Sequence, residues 1–288
     1  MTHYKNTMSS WLTRNPSIPS INKKNYIGIV LTGGLANRIF QVLAGQKLAE
    51  LTGKTFVVCI SEENPHESNE ETKKQLHELF PTLSYYTEST NSWIIIREDP
   101  WQWFQYQFDT MPKYPGKHIL LHGYWQSEKY FPRSLPILSL PPIPQPYSFI
   151  HFRFGDYSGT VHDLDLSHYY RKSITRIMRE DRNAQFLVFS DEPEKARNFL
   201  DALPFEVPYS LSAATSALDV LKGMASCHGG ICANSSLSFL GAYFQHKPRG
   251  TIIMPSEWMK NIPQRQMMGW YPSWVTIIDL KDDRQRAL

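Results

Sequence analysis

The segment FIHFRFGDYSG (149–159) sets His151, Arg153 and Asp156 within six residues at the end of an apolar run, followed by small, turn-forming residues. Charged groups at the end of an apolar strand cost desolvation energy unless a partner or ligand uses them. Arg153 can fork to two phosphate oxygens and keeps its proton in a site of shifting charge. A structural ion pair between Arg153 and Asp156 would explain those two residues but leaves His151 without a reason.

Three further clusters have the same form of an apolar run turning into a helix: GGLANR (33–38), FSDEPE (189–194) and ANSSLSF (233–239). Exposed N–H groups and the positive end of the helix dipole favour phosphate at such turns. Taken together, the four clusters describe a diphosphate site that needs no metal. Taken singly, most have a plainer reading. Asn234 or Ser235 is a good helix N-cap, and Ser190 or Asp191 can cap a helix whose first turn holds Pro193 and Glu194. GGLANR is neither the dinucleotide pattern G-x-G-x-x-G nor a P-loop, which disfavours an NAD enzyme or P-loop kinase.

The elements that must carry these residues follow from hydrophobic periodicity. A strand over 26–31, a glycine turn and a helix over 37–51 open an α/β unit that continues with a strand over 55–60. The polar, acidic stretch 61–75 reads as a loop with some helix. An aromatic-dense stretch (93–108) and a strand over 118–122 lead to GYWQSEKYF (123–131), whose rings suit either sugar stacking or an aromatic core layer. Six prolines in sixteen residues (132–147) mark a linker.

Beyond the linker the alternation restarts, with strands over 148–152, 185–190, 230–233 and 250–254 and helices over 167–182, 192–203, 217–225 and 235–244. The expected organisation is a polar lead-in (1–25), an N-terminal α/β domain (26–140) and a C-terminal Rossmann-like domain (147–288). Ligands should lie in the cleft between the two domains, at the carboxyl ends of the strands.

At 288 residues and 41% hydrophobic, the chain can bury one large core or two of ordinary domain size. A formal charge of +3, from 30 Lys+Arg against 27 Asp+Glu, is too small and dispersed for a nucleic-acid surface. No run is long and apolar enough for a membrane span or a secretion signal. Cys59, Cys227 and Cys232 form no disulfide framework. Cys227 and Cys232 flank His228, but without a convincing fourth ligand they read as small buried hydrophobes rather than zinc ligands.

In the same order along the chain, GGLANRIFQ, GYWQSEKYF, HFRFGDY, FSDEPE and MASCHGGICANSSLSFLGAYF (224–244) resemble the motifs of the α1,2-fucosyltransferases of glycosyltransferase family 11. The tail MPSEWMKN…YPSWVTI is similar to that family's closing segment, so the resemblance runs from about Tyr26 to Ile278. It implies a GT-B-like fold, two Rossmann-like domains facing across a cleft, with GDP-fucose held mainly by the C-terminal domain and the acceptor by the N-terminal one. It also implies inverting, metal-independent transfer of L-fucose to the 2-hydroxyl of a galactose-type acceptor. The DLD at 163–165 lies before a helix and is not read as a metal motif.

Under the resemblance, Arg153 neutralises the departing GDP and His151 bonds the diphosphate or ribose. Asn234, Ser235 and Ser236 reach the phosphates and nucleoside, and Asp191 reads ribose or guanine. Gly34 and Asn37 close over the donor from the facing domain. Asp156 and His162 are the two candidates for general base.

The chain departs from the family pattern at three places. Phe154 stands where a second arginine is usual, Ala36-Asn37-Arg38 where Gly-Asn-Gln is usual, and Phe239-Leu240 where an aromatic pair is usual; Arg38 could supply the missing charge. The expectation is a cytoplasmic enzyme of bacterial or viral type. The alternatives are another GDP-sugar, acceptor or linkage, or a weakened relative that only binds nucleotide sugar or glycan.

Overall fold

Aliphatic and aromatic runs become parallel strands throughout the chain. A computed structural model describes residues 25–61, 68–99, 106–112, 114–142, 146–245, 250–262 and 270–281. The lead-in at 1–24 and parts of the aromatic stretch and of the linker lie outside the described residues.

The first unit comprises β1 (Tyr26–Leu31), α1 (Leu35–Thr52), β2 (Thr55–Ser61), α2 (Asn69–Leu79), β3 (Ile94–Arg97) and β4 (Ile119–His122). Its sheet order is β2-β1-β4-β3, with every pairing parallel. The second unit comprises β5 (Tyr147–Phe152), α3 (Ser167–Glu180), β6 (Gln185–Ser190), α4 (Pro193–Asp201) and β7 (Tyr209–Leu211). It continues with α5 (Ala217–Ser226), β8 (Gly230–Ile231), α6 (Ser236–Tyr243), β9 (Ile252–Pro255) and β10 (Thr276–Ile278). Here the order is β10-β9-β8-β5-β6-β7, again wholly parallel. Parallel neighbours require crossovers, so all strand ends of one sheet point the same way and the turns that follow them gather along one edge. This is the expected α/β, GT-B-like layout of two Rossmann-like units.

The structure departs from the sequence reading locally. Helix α1 starts two residues earlier than expected. Gly33 takes φ +74°, a left-handed conformation natural to glycine, and Gly34 is extended, so the chain turns within two residues of β1 and Asn37 falls in the first helical turn. The helix in the stretch read as a loop with some helix is α2, which runs on to Leu79; Ser68 caps it by accepting the Glu71 N–H at 3.2 Å while Glu70 and Glu71 face the positive end of the dipole. Strands β3, β7 and β10 were not anticipated. All three lie at sheet edges, and half-exposed strands of three or four residues carry no continuous apolar signal.

The largest buried cluster crosses from one unit to the other. Phe40 of α1 packs on Phe239 of α6 with ring centres 5.4 Å apart, and Phe239 packs in turn on Trp270 at 5.2 Å. A second cluster fills the space between the second sheet and α3 and α4 (Phe152, Tyr170, Ile174, Phe186, Leu200). Burial of apolar rings between α1 and α6 therefore fixes the two helices against each other.

Phe239 is fully buried at that junction, and Phe239→Ala should lower the unfolding free energy by about 3–5 kcal/mol. Urea titration measures this, and a loss below about 1 kcal/mol would contradict a core shared between the units.

Candidate active site

The turn after β5 is fixed by one carboxylate. Strands β5 and β6 run in register, Phe152 opposite Ser190, which puts Asp191 beside the residues that leave β5. Asp191 Oδ1 accepts the Phe154 N–H and Oδ2 the Gly155 N–H, both at 3.0 Å. Arg153 leans on the same group, Nη1 to Asp191 Oδ2 at 3.4 Å, and holds Asp156 Oδ1 through Nη2 at 2.8 Å.

The guanidinium lies 5.8 Å from the centre of the Tyr157 ring, and Tyr157 donates its hydroxyl to the Asn234 carbonyl at 3.2 Å. With its side chain 24% exposed, Arg153 is held by two carboxylates and a ring yet remains open to solvent. The Arg153–Asp156 pair foreseen as the structural alternative exists, but it includes Asp191 and is not sealed in the interior.

His151 lies below this turn, 3% exposed. Its carbonyl accepts the Tyr170 hydroxyl at 2.7 Å, and its Nδ1 is buried with no hydrogen-bond partner. Burial, reinforced by the Arg153 charge and opposed by Asp191, lowers the imidazole to about 4. The ring is therefore neutral at neutral pH and adds no charge to the site.

The clusters at 33–38 and 233–239 meet across the two units. Ser235 caps α6 by accepting the Leu237 N–H. The Asn234 amide donates to the carbonyls of His162 and Trp258, both at 2.9 Å, tying down two loops rather than facing outward. Ser236 Oγ donates to Asn37 Oδ1 at 3.1 Å, and the same oxygen accepts Gln126 Nε2 at 2.7 Å. Asn37 stands in the first turn of α1, whose N-cap Gly34 offers no side-chain cap and which has no acidic residue in that turn. The N-termini of an 18-residue helix and of α6 thus converge, and the first-turn N–H groups of both lack intrahelical partners.

The remaining sequence candidates take less direct positions. His162 is half-buried, its ring 5.1 Å from the Tyr157 ring and Nδ1 3.5 Å from the Trp258 carbonyl. Arg38 is 1% exposed, with its Nε–H on the Gly33 carbonyl at 2.8 Å, so its charge sits inside the first unit beneath the glycine turn. Lys195 places a cation on Phe154, its Nζ 4.5 Å over the Phe154 ring and 3.8 Å from Glu192.

Sequence reasoning missed Glu98, immediately after β3. One of its oxygens accepts the N–H groups of Tyr124 and Trp125, at 2.7 and 3.0 Å, while the other is buried without a partner. Burial raises the carboxyl above its ordinary range. Glu98 holds the 123–126 turn, where Trp125 adopts φ +54°, and thereby places Gln126 against Asn37. The charged pair Arg97-Glu98 closing a short isoleucine run was the available signal, of the same kind that singled out Arg153.

Trp125, Phe108 and Tyr130 pack together in the core, so among the described residues most of these rings are structural; Tyr124 is exposed at 46%. Among the described residues no group of three or more His, Cys, Asp or Glu is placed to hold a metal. Cys227 and Cys232 are buried with their thiols aimed at main-chain carbonyls, and burial pushes Cys227 up to about 12. No helix among the described residues is long and apolar enough to cross a membrane.

The chain is 28% identical over 182 residues to an alpha-1,2-colitosyltransferase of Escherichia coli, an alignment covering 54% of this chain and 61% of that protein. It is 26% identical over 134 residues to the E. coli O-antigen biosynthesis glycosyltransferase WbnK, covering 44% and 43%. The matches thus span about half the length of these curated relatives. No protein-family model matches the chain.

Among solved structures, the E. coli ADP-heptose lps heptosyltransferase II is 11% identical, with 88% of this chain and 90% of that one covered at a TM-score of 0.48. The fucosyltransferase NodZ from Bradyrhizobium is 12% identical, with 76% and 92% covered at 0.42. At these values the site's chemistry rests on its own geometry.

An unfolded histidine titrates near 6.5. Between pH 6.5 and the folded value of about 4 the unfolded chain binds a proton that folded His151 refuses. Stability is therefore complete above that window and falls as pH drops through it, by on the order of 3 kcal/mol for this one group. His151→Gln should flatten the decline in urea midpoint between pH 7 and pH 5, and an unchanged slope would overturn the buried, neutral assignment.

Proposed function

We propose that the chain is a nucleotide-sugar-dependent glycosyltransferase whose donor diphosphate sits between the Arg153 turn and the N-termini of α1 and α6. Within that class, the reading taken is inverting, metal-independent transfer of L-fucose from GDP-fucose to the 2-hydroxyl of a galactose-type acceptor. The observation that carries it is Arg153, partly exposed at a strand end, held by Asp156 and Asp191 and joined through the Tyr157 ring to the start of α6, whose N-terminus meets that of α1. The name of the α1,2-colitosyltransferase relative agrees with the linkage, and the motif resemblance points to GDP-fucose. A different sugar on the same diphosphate is the second reading, favoured by that relative's name.

In the proposed step the acceptor oxygen bonds to the sugar's anomeric carbon as the bond from that carbon to the diphosphate oxygen breaks, and both bonding electrons leave with GDP. Arg153 meets the negative charge that develops on the leaving diphosphate, aided by the N–H groups of the first turns of α1 and α6. The clamp on Arg153 keeps it from reorganising during the reaction.

Neutral His151 supports the turn from below and bonds the donor through its unpartnered Nδ1 once the turn adjusts. Asp191 acts on the phosphates through the turn that it shapes. The acceptor proton passes to Asp156 or His162, or leaves late through the departing diphosphate if the path resembles an oxocarbenium ion.

With GDP-fucose, a lactose-type acceptor and EDTA present, transfer should persist, and Arg153→Ala should cut kcat/KM by about 10²–10³-fold. Near-normal kcat/KM in that variant would remove Arg153 from the mechanism. Donor binding with neither transfer nor hydrolysis would favour a binding relative, and turnover with only another GDP-sugar would favour the second reading.

A further inference from the structure

The outer face of α3 carries a pattern the donor site does not use. His168, Arg171, Lys172, Thr175, Arg176 and Arg179 recur at intervals of three and four, a single stripe about 16 Å long at 1.5 Å per residue. The opposite face, Tyr169, Tyr170, Ser173, Ile174 and Ile177, is buried in the second core cluster, so the stripe cannot rotate away from solvent.

The stripe forms one wall of an open groove of about 760 Å³, whose other wall is the end of β10 at Ile277, Ile278 and Asp279. That volume falls within the range of small-ligand sites. A neighbouring groove continues from it past His168 and Arg171 towards Lys260.

Charge is not balanced within the groove. Arg176 pairs with Glu180 at 2.9 Å, and Glu180 also accepts the Thr251 hydroxyl at 2.5 Å, so that carboxylate is already engaged. Among the described residues, the side chains of Arg171, Lys172 and Arg179 have no anionic partner within 4.0 Å. The Nε2 of His168, also in the groove wall, is buried with no hydrogen-bond partner. A stripe kept only for solubility would mix signs by i,i+4 pairing along the helix. Here one sign dominates a concave surface.

We infer that the α3 groove is a second anion site, separate from the donor site, that takes a ligand bearing two or more phosphate groups. Arginine forks match phosphate oxygens in pairs. Arg171 and Arg179, eight residues apart, sit about 12 Å apart along the axis, a span for linked phosphates rather than a single ion.

The Arg179 end of the groove lies away from Arg153. Glu180 contacts Thr251, next to the start of β9, so the Arg179 end of the stripe sits by the opening ends of the strands, whereas Arg153 follows the closing end of β5. The inference does not depend on the donor reading. The phosphates can belong to a free oligophosphate or to the headgroups of an anionic lipid.

Calorimetric titration with inorganic tripolyphosphate and flotation with phosphatidylglycerol or phosphatidylcholine vesicles separate the two sources. The full chain is compared with its Arg171→Ala/Arg179→Ala and Arg153→Ala variants, with circular dichroism confirming the fold of each. At least tenfold weaker tripolyphosphate binding in the double variant, and not in Arg153→Ala, supports a soluble ligand. Loss of flotation with phosphatidylglycerol vesicles alone, in the double variant alone, supports a lipid headgroup. Binding of both probes unchanged in the double variant, or lost only in Arg153→Ala, overturns the second site.

Discussion

A single carboxylate, that of Asp191, sets the geometry on which the candidate site depends. A parallel sheet delivers its strands to one edge, but it does not by itself shape the turns that leave that edge. Asp191 does this by accepting two successive N–H groups from the turn after β5 while leaning on the Arg153 guanidinium. Hydrogen bonds to a charged acceptor are among the stronger ones available to a protein. Here they hold a partly exposed cation in place without sealing it from a ligand. The parallel register of β5 and β6 is the reason Asp191 is within reach.

The second constraint is the junction between the units. Phe40 and Phe239 bury α1 against α6, and above that apolar contact Ser236, Asn37 and Gln126 form a polar chain that ties the two helix N-termini together. Glu98 extends the same arrangement into the first sheet by fixing the turn that presents Gln126. Hydrophobic burial supplies the rigidity, and the directed bonds set the register. The result is a place where two helix dipoles and an arginine share a region without a neutralising acid in either first helical turn.

Much of this was legible in the sequence because it rests on local patterns. Apolar runs ending in turn-forming residues announced β1, β5 and β6, and restarting alternation after the prolines announced a second α/β unit. The edge strands β3, β7 and β10 were not legible, since short half-exposed strands owe their form to a neighbour already in place. The clusters at 33–38, 151–157, 189–194 and 233–239 were recognised, but individual tasks were not. Asn234 and Asp191 read as ligand contacts, and in the structure they also brace main-chain groups, a partnership that depends on contacts across 24 to 72 residues of sequence. Arg38 read as a spare charge and is buried under its own turn, while Lys195 reaches Phe154 from α4.

The central claim is that a donor diphosphate occupies the space bounded by the Arg153 turn and the N-termini of α1 and α6. Hydrogen–deuterium exchange with and without saturating GDP tests it most directly, because it reads the main-chain groups assigned to the phosphates. The account predicts slower exchange in three separated segments at once, 34–38, 153–157 and 235–238, with little change elsewhere in either sheet. Protection confined to other segments, or none in these three when GDP is bound, would contradict it.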